Sequence, residues 1–297
     1  MKASRRQFLA SGVATPLLLA GPSARAAEAE DQLPEPKYQL AMNLELMFPG
    51  GTPYEERMEQ AARCGAKHYA FWGPAGKNLD AMLEVHYRLG MTCVSIAGSP
   101  KTGWTTGLTR PGAEGAFLED FEAICGVAQR FGAENLVTFV GARQPDVPWE
   151  AQRANVVAGL KRAGDIAMGH GVYLTLEPLN RVESPQMSML LAREAFDFAA
   201  EVGHPHVKVD YDLYHRQLGE GNVAAGLEEG LARGLVRFVE VGDVPGRKEP
   251  GSGEMNYAFL FRRLRELGYS GAIGMEHGTT KTPQHAWDQV RKLAGLA

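Results

Sequence analysis

The sequence predicts an α/β protein built as a single (β/α)₈ TIM barrel, and three observations carry that prediction. Short apolar runs alternate with amphipathic segments eight times, and the alternation fills roughly 260 residues without a break in composition. A doubly wound open sheet is the alternative, but it usually carries a glycine-rich phosphate loop after its first strand, and Asn43 to Gly51 (NLELMFPGG) is not one.

Tyr38 to Leu44 reads as the first strand, and Pro53 to Gly65 as a helix opened by proline and closed by glycine. Lys67 to Gly73 is the second strand, with a helix from Asn78 to Leu89. The third strand, Met91 to Gly98, leads through a Gly/Thr-rich loop to a helix from Glu114 to Phe131. Glu134 to Gly141 and Gly171 to Glu177 are strands four and five, followed by helices from Trp149 to Met168 and from Met189 to Val202. Strand six, His206 to Asp212, precedes a weaker helical pattern near Asn222 to Arg233. Val236 to Asp243 and Ala272 to Glu276 complete the set, with helices from Asn256 to Leu267 and from Pro283 to about Leu296.

The first 26 residues have the order of an export signal: paired Arg5 and Arg6, an apolar run from Val13 to Ala20, and small residues at Ser23 to Ala26. The expected organisation is therefore a twin-arginine signal over 1–26, a linker over 27–37 and the barrel over 38–297. Such a signal implies the twin-arginine export machinery as a partner and a periplasmic address reached in the folded state. The apolar run is shorter than the roughly 20 residues that span a bilayer, so no membrane association is expected after cleavage.

Removing Lys2, Arg5, Arg6 and Arg25 leaves 27 basic against 35 acidic residues, a net charge of −8. That balance argues against nucleic acid as a partner. Cys64, Cys93 and Cys125 lie at no metal-ligand spacing and are expected to be free thiols. The oligomeric state is left open, a homo-oligomer included.

A barrel of this kind works at the C-terminal ends of its strands. Strand five ends at Glu177, strand six at Asp212, strand seven carries Glu240 near its end, and strand eight ends at Glu276. One such acid is ordinarily a solvated terminus. Four facing one cavity repel one another and call for a cation, and oxygen-only ligands suit Mg²⁺ or Mn²⁺ first, with Co²⁺ and Zn²⁺ as alternatives.

Glu183, His215, Arg247 and His277 are polar candidates to hold a hydroxylated substrate, with His215 and Arg247 expected in loops. Asp243 is placed to orient Glu240 or to reach the ion, and Asp210 points inward one layer below Asp212 with no role assigned. The long loop from Ala97 to Gly112 has the length of a lid, and Trp72 and Trp104 serve either as an aromatic wall or as packing.

Leu176 to Asn180 (LEPLN), Tyr211 to His215 (YDLYH), Gly246 to Tyr257 (GRKEPGSGEMNY) and Gly268 to His277 (GYSGAIGMEH) together resemble the hydroxypyruvate isomerase family, within the xylose-isomerase-like sugar isomerases and epimerases. The resemblance implies a divalent metal on Glu177, Asp212, Glu240 and Glu276, with Glu240 standing where the family has a neutral ligand. It also implies substrate contacts at Glu183, His215 and Arg247. The activity implied is isomerisation of hydroxypyruvate or a related small keto-acid or sugar through a cis-enediolate, with Glu177 and Glu276 exchanging the proton. A keto-sugar epimerase, or a periplasmic lyase or hydrolase acting on an oxidised sugar, is the alternative.

Overall fold

The computed structural model describes residues 33–99 and 101–296. The signal expected over 1–26, and the linker residues up to 32, lie outside the described residues. Eight parallel strands close into a barrel in sequence order: β1 (Gln39–Asn43), β2 (His68–Phe71), β3 (Thr92–Ala97), β4 (Asn135–Thr138), β5 (Tyr173–Leu176), β6 (Val207–Asp212), β7 (Val236–Val241) and β8 (Ala272–Met275). β8 pairs with β1 to complete the ring.

Around the barrel lie α1 (Tyr54–Arg63), α2 (Leu79–Leu89), α3 (Glu114–Phe131), α4 (Trp149–His170), α5 (Ala192–Val202), α6 (Leu213–Gly219), α7 (Val223–Ala232), α8 (Tyr257–Glu266) and α9 (Pro283–Ala294). Their limits follow from local chemistry. The Asn78 and Asn256 side chains accept the orphan amides of Ala81 and Phe259 at the starts of α2 and α8, and left-handed Gly90, Gly132 and Gly171 stop α2, α3 and α4. No helix among the described residues is long and apolar enough to cross a membrane.

One helix departs from the sequence expectation. α6 starts directly at the end of β6, because the Asp212 side chain accepts the Tyr214 amide at 2.8 Å and so caps it. His215 consequently sits in the first turn of a helix and not in a loop.

Outward-facing strand residues pack against the helices, as Phe71 does on Phe131 and Tyr211 on Phe196. Inward-facing Ala41, Ala70, Val94, Val137 and Phe238 form a separate apolar plug. The plug requires a bare backbone at Gly274, where a Cβ would lie 2.9 Å from the Phe238 ring and 2.8 Å from Glu240 Oε1. Above this plug the inward positions turn polar.

Candidate active site

Side chains alternate across a strand, so the inward series Thr175/Glu177, Asp210/Asp212, Phe238/Glu240 and Gly274/Glu276 rise from the core to the C-terminal mouth. Register brings Asp212 opposite Glu240, and Glu240 opposite Gly274. One oxygen each from Glu177, Asp212, Glu240 and Glu276 lies within 4.8 Å of the others, and all four residues are buried.

At 4.8 Å and an effective dielectric constant of about 20, two carboxylates repel by roughly 3.5 kcal/mol. Burial, with the Coulombic push of Glu276 and Asp210, accordingly raises the Glu177 and Glu240 carboxyls well above the usual range. Asp210 is raised in the same way, chiefly by burial. No N–H or hydroxyl donor reaches either Asp210 oxygen, and the group that faces it is the Glu240 carboxyl. Two buried carboxyls that face each other, both raised, favour sharing one proton between them.

Arg247 supplies a single positive charge to this cluster. Its Nη2 donates to Asp212 Oδ2 at 3.1 Å and to Glu276 Oε2. Burial alone would lower its pKa, but the carboxylates of Glu276 and Asp212 outweigh burial and keep it charged. Trp72 Nε1 donates to the other Glu276 oxygen at 2.6 Å. Burial raises Glu276 as well, although Arg247 works against the rise.

One guanidinium thus stands against five buried acids. The four oxygens at the mouth are hard donors, close enough together for one ion that takes oxygen ligands at about 2.0–2.6 Å. The donor set fits a divalent cation.

Beside the cluster, Asn180 organises a second set. Its Oδ1 accepts the amides of Val182 and Glu183 at 3.0 and 2.8 Å, which fixes its orientation. Its Nδ2 then donates to Glu183 Oε2 at 3.0 Å and to His215 Nδ1 at 2.6 Å. The His215 proton is therefore on Nε2, which faces Glu177 Oε1 at 3.4 Å and Asp212 Oδ2 at 3.5 Å. Burial lowers the His215 pKa to about 4, against the pull of Asp212, so the ring is neutral at pH 7. Burial opposes ionisation of Glu183 too, but hydrogen bonds from Tyr214 and Asn180 hold its carboxyl below the ordinary value.

The structure brings Glu177, Glu183, His215, Glu240, Arg247 and Glu276 to one cavity of about 510 Å³, with Asp212 beside it. Two expectations are corrected. Asp243 turns away from the cluster, because its oxygens accept the amides of Val244, Gly251, Gly253 and Met255 and so shape the loop that delivers Arg247. His277 is wholly buried, its Nδ1–H donates to Gly278 O at 2.8 Å, and it does not line the cavity.

The loop after β3 is tied down. Ser99 Oγ bonds Phe139 O, Leu108 N bonds Val140 O, and Asp120 accepts the Lys101 and Thr102 amides. Through these hydrogen bonds its described residues are anchored beside the cavity, which Trp104 and Trp72 both line. Sequence reasoning missed Asn180, whose signal was an Asx residue three places before Glu183. It also missed the link from Trp72 to Glu276, which no local pattern announces.

Eight parallel strands with a buried acidic site at their C-terminal mouth define the class: a TIM barrel with its chemistry on the strand ends. Residues 58–294 match the family model described as xylose isomerase-like TIM barrel, and the chain belongs to that family. It is similar to hydroxypyruvate isomerase of Escherichia coli K12, with 27% identity over 252 residues covering 83% of this chain and 95% of the relative. It is also similar to 2-oxo-tetronate isomerase of Haemophilus influenzae, with 28% identity over 242 residues covering 80% and 93%. Among solved structures, a family 2 AP endonuclease from Brucella melitensis superposes with a TM-score of 0.77 at 24% identity, covering 86% of this chain and 98% of that one. A 3-keto-D-glucoside 4-epimerase from E. coli superposes with a TM-score of 0.72 at 21% identity, covering 87% and 100%. These two likenesses carry the fold alone.

Proposed function

We propose that this chain is a metal-dependent isomerase of a small hydroxy-carbonyl compound, a keto-acid such as hydroxypyruvate or a sugar. The observation that carries the reading is the meeting of four carboxylate oxygens within 4.8 Å at the ends of consecutive strands. The isomerase names of the relatives support it. Glu177, Asp212, Glu240 and Glu276 would hold a divalent ion, Mg²⁺ or Mn²⁺ by donor type. When bound, the ion supplies Lewis-acid stabilisation of the negative oxygen that appears as the substrate loses a proton.

The chain's own residues supply the proton transfer. Trp72 and Arg247 donate to the two oxygens of Glu276, which favours its ionised form and suits it to take the proton from carbon. Glu177 lines the same cavity and is left to deliver a proton to the neighbouring carbon or oxygen. Roles reverse in the other direction of the reaction. Neutral His215 presents Nε2–H beside Glu177, and Glu183 offers an acceptor for a substrate hydroxyl.

The test is product analysis with Mn²⁺-loaded protein on three- to six-carbon hydroxy-carbonyl compounds. Loss of activity on chelation with recovery on adding Mn²⁺ is the expected result, and no turnover of any substrate with any divalent metal would refute the reading. An inverted carbinol centre in place of a moved carbonyl would assign epimerisation to the same residues. Export by the twin-arginine route belongs to this proposal on the strength of Arg5, Arg6 and Ser23 to Ala26. Cell fractionation of the native host tests it.

A further inference from the structure

In the ring of strands β1 stands between β2 and β8. The Trp72 indole starts from the end of β2, so it crosses the exit of β1 to donate to Glu276 at the end of β8. With 43% of Trp72 exposed, packing covers the residue only in part. Its direction is set from the backbone. Glu45, two residues beyond β1, accepts the Trp72 amide on Oε1 at 2.9 Å. The same oxygen faces Lys77 Nζ at 3.0 Å, and Oε2 accepts the Tyr54 hydroxyl. Lys77 in turn donates to Gly73 O at 2.8 Å and lies 4.3 Å from the centre of the Tyr54 ring.

Glu45 is itself fixed. Its amide donates to Asn43 Oδ1 at 2.8 Å, and Arg57 ties down the same loop through Leu44 O at 2.7 Å and Thr52 O at 2.8 Å. The Glu45 and Lys77 side chains are both almost wholly buried. A buried ion pair is weak evidence for stability, since apolar residues of similar volume often serve as well. What this pair supplies is direction. It clamps the chain where it leaves β2, by the amide of Trp72 and the carbonyl of Gly73.

We propose that Glu45 is a positioning residue for Glu276, acting through Trp72, with Lys77 as its counter-charge. Glu45 and Lys77 hold the backbone that aims the indole. The indole holds one oxygen of Glu276, and Arg247 holds the other. Reacting groups work only when held within roughly 0.5 Å of their productive geometry, a tolerance that a partly exposed indole meets only with its backbone fixed. The effect on turnover rests on the isomerase reading, whereas the effect on the indole does not.

Indole N–H exchange with water, followed in ¹H–¹⁵N spectra of the ion-free full chain, reads the geometry. Trp72 and Trp104 are almost equally exposed, at 43% and 44%, so exposure alone predicts equal rates. With the two resonances assigned by their loss in Trp72→Phe and Trp104→Phe, the Trp72 proton should exchange about tenfold or more slowly. Glu45→Ala/Lys77→Met removes the acceptor of the Trp72 amide without leaving a buried charge unpaired, and should bring the Trp72 rate to within about threefold of Trp104. Glu45→Gln/Lys77→Met returns an acceptor and should return most of the slow exchange. Glu45→Asp keeps the charge beside Lys77 but withdraws it by one methylene; it should act as the alanine variant does, and it carries the test if that variant does not fold. In the Mn²⁺-saturated protein Glu45→Ala/Lys77→Met should lower kcat about tenfold with little change in KM, and adding Trp72→Phe should cause no further loss. A Trp72 proton as slow in the alanine and aspartate variants as in the unaltered chain, or Glu45 and Trp72 losses that multiply in full, would overturn the proposal. Should no substrate turn over, the isomerase reading falls, and the exchange rates still decide whether Glu45 aims the indole.

Discussion

Glu240→Gln replaces the one acid at the mouth that faces another buried acid below it. Glutamine keeps the shape, and its amide N–H can donate to Asp210, whose oxygens have no other donor. What disappears is a titration. With an ion bound, Glu240 must ionise beside Glu177, Asp212 and Glu276; without one, each ionised pair at 4.8 Å costs roughly 3.5 kcal/mol at an effective dielectric constant of about 20. The ion-free variant should therefore be more stable at pH 8, by about 1–3 kcal/mol, which for a domain of this size is a rise of roughly 2–10 °C in Tm. Divalent metal should bind about tenfold or more weakly, with close to one fewer proton released. Calorimetric titration with MnCl₂ in two buffers of different ionisation enthalpy counts those protons, and thermal melts measure the stability. Unchanged proton release together with an unchanged or lower Tm would refute the assignment of a shared proton to Glu240 and Asp210.

Asn180→Asp places an acceptor against His215 Nδ1 and a second negative charge against Glu183, so the His215 pKa should rise from about 4 and its ring proton should move to Nδ1. ¹⁵N NMR of the ring nitrogens across pH 4–8 reads both effects. The ion-free protein should lose stability as pH rises above 7. Glu177, Glu240, Asp210 and Glu276 all have raised folded-state values, so the native state holds protons that the unfolded chain has already released. Melts at pH 7, 8 and 9 with and without Mn²⁺ check the sign, and the metal should abolish the decline. Asp243→Ala strips the acceptor from the amides of Val244, Gly251, Gly253 and Met255. It should cost on the order of 3–5 kcal/mol and loosen Arg247, read as a fall in Tm of about 10 °C and slower turnover.

The barrel was legible because hydrophobic periodicity and glycine stops are local. α3 runs from Glu114 to Phe131 as its pattern indicates, and the strands shorten by only one to three residues at an end. The four mouth acids were legible for a related reason: a period of two and a strand end suffice to aim a side chain. What escaped depends on distant partners. α6 was hidden because Asp212 reads as a strand terminus and also caps the next helix. Asp243 was misassigned because the amides it holds lie up to twelve residues away and carry no side-chain signature. The Trp72 to Glu276 hydrogen bond joins residues 204 positions apart, and only barrel closure brings them together.

The central claim, proton transfer between adjacent substrate carbons by Glu177 and Glu276 in the presence of a divalent ion, is tested most directly by deuterium incorporation. Mn²⁺-loaded protein in D₂O should place one deuterium on the carbon next to the substrate carbonyl, detected by mass spectrometry. Glu177→Gln and Glu276→Gln should each suppress incorporation by three orders of magnitude or more while the fold is retained. Turnover without solvent deuterium entering any C–H bond, or exchange that survives both substitutions, would contradict it.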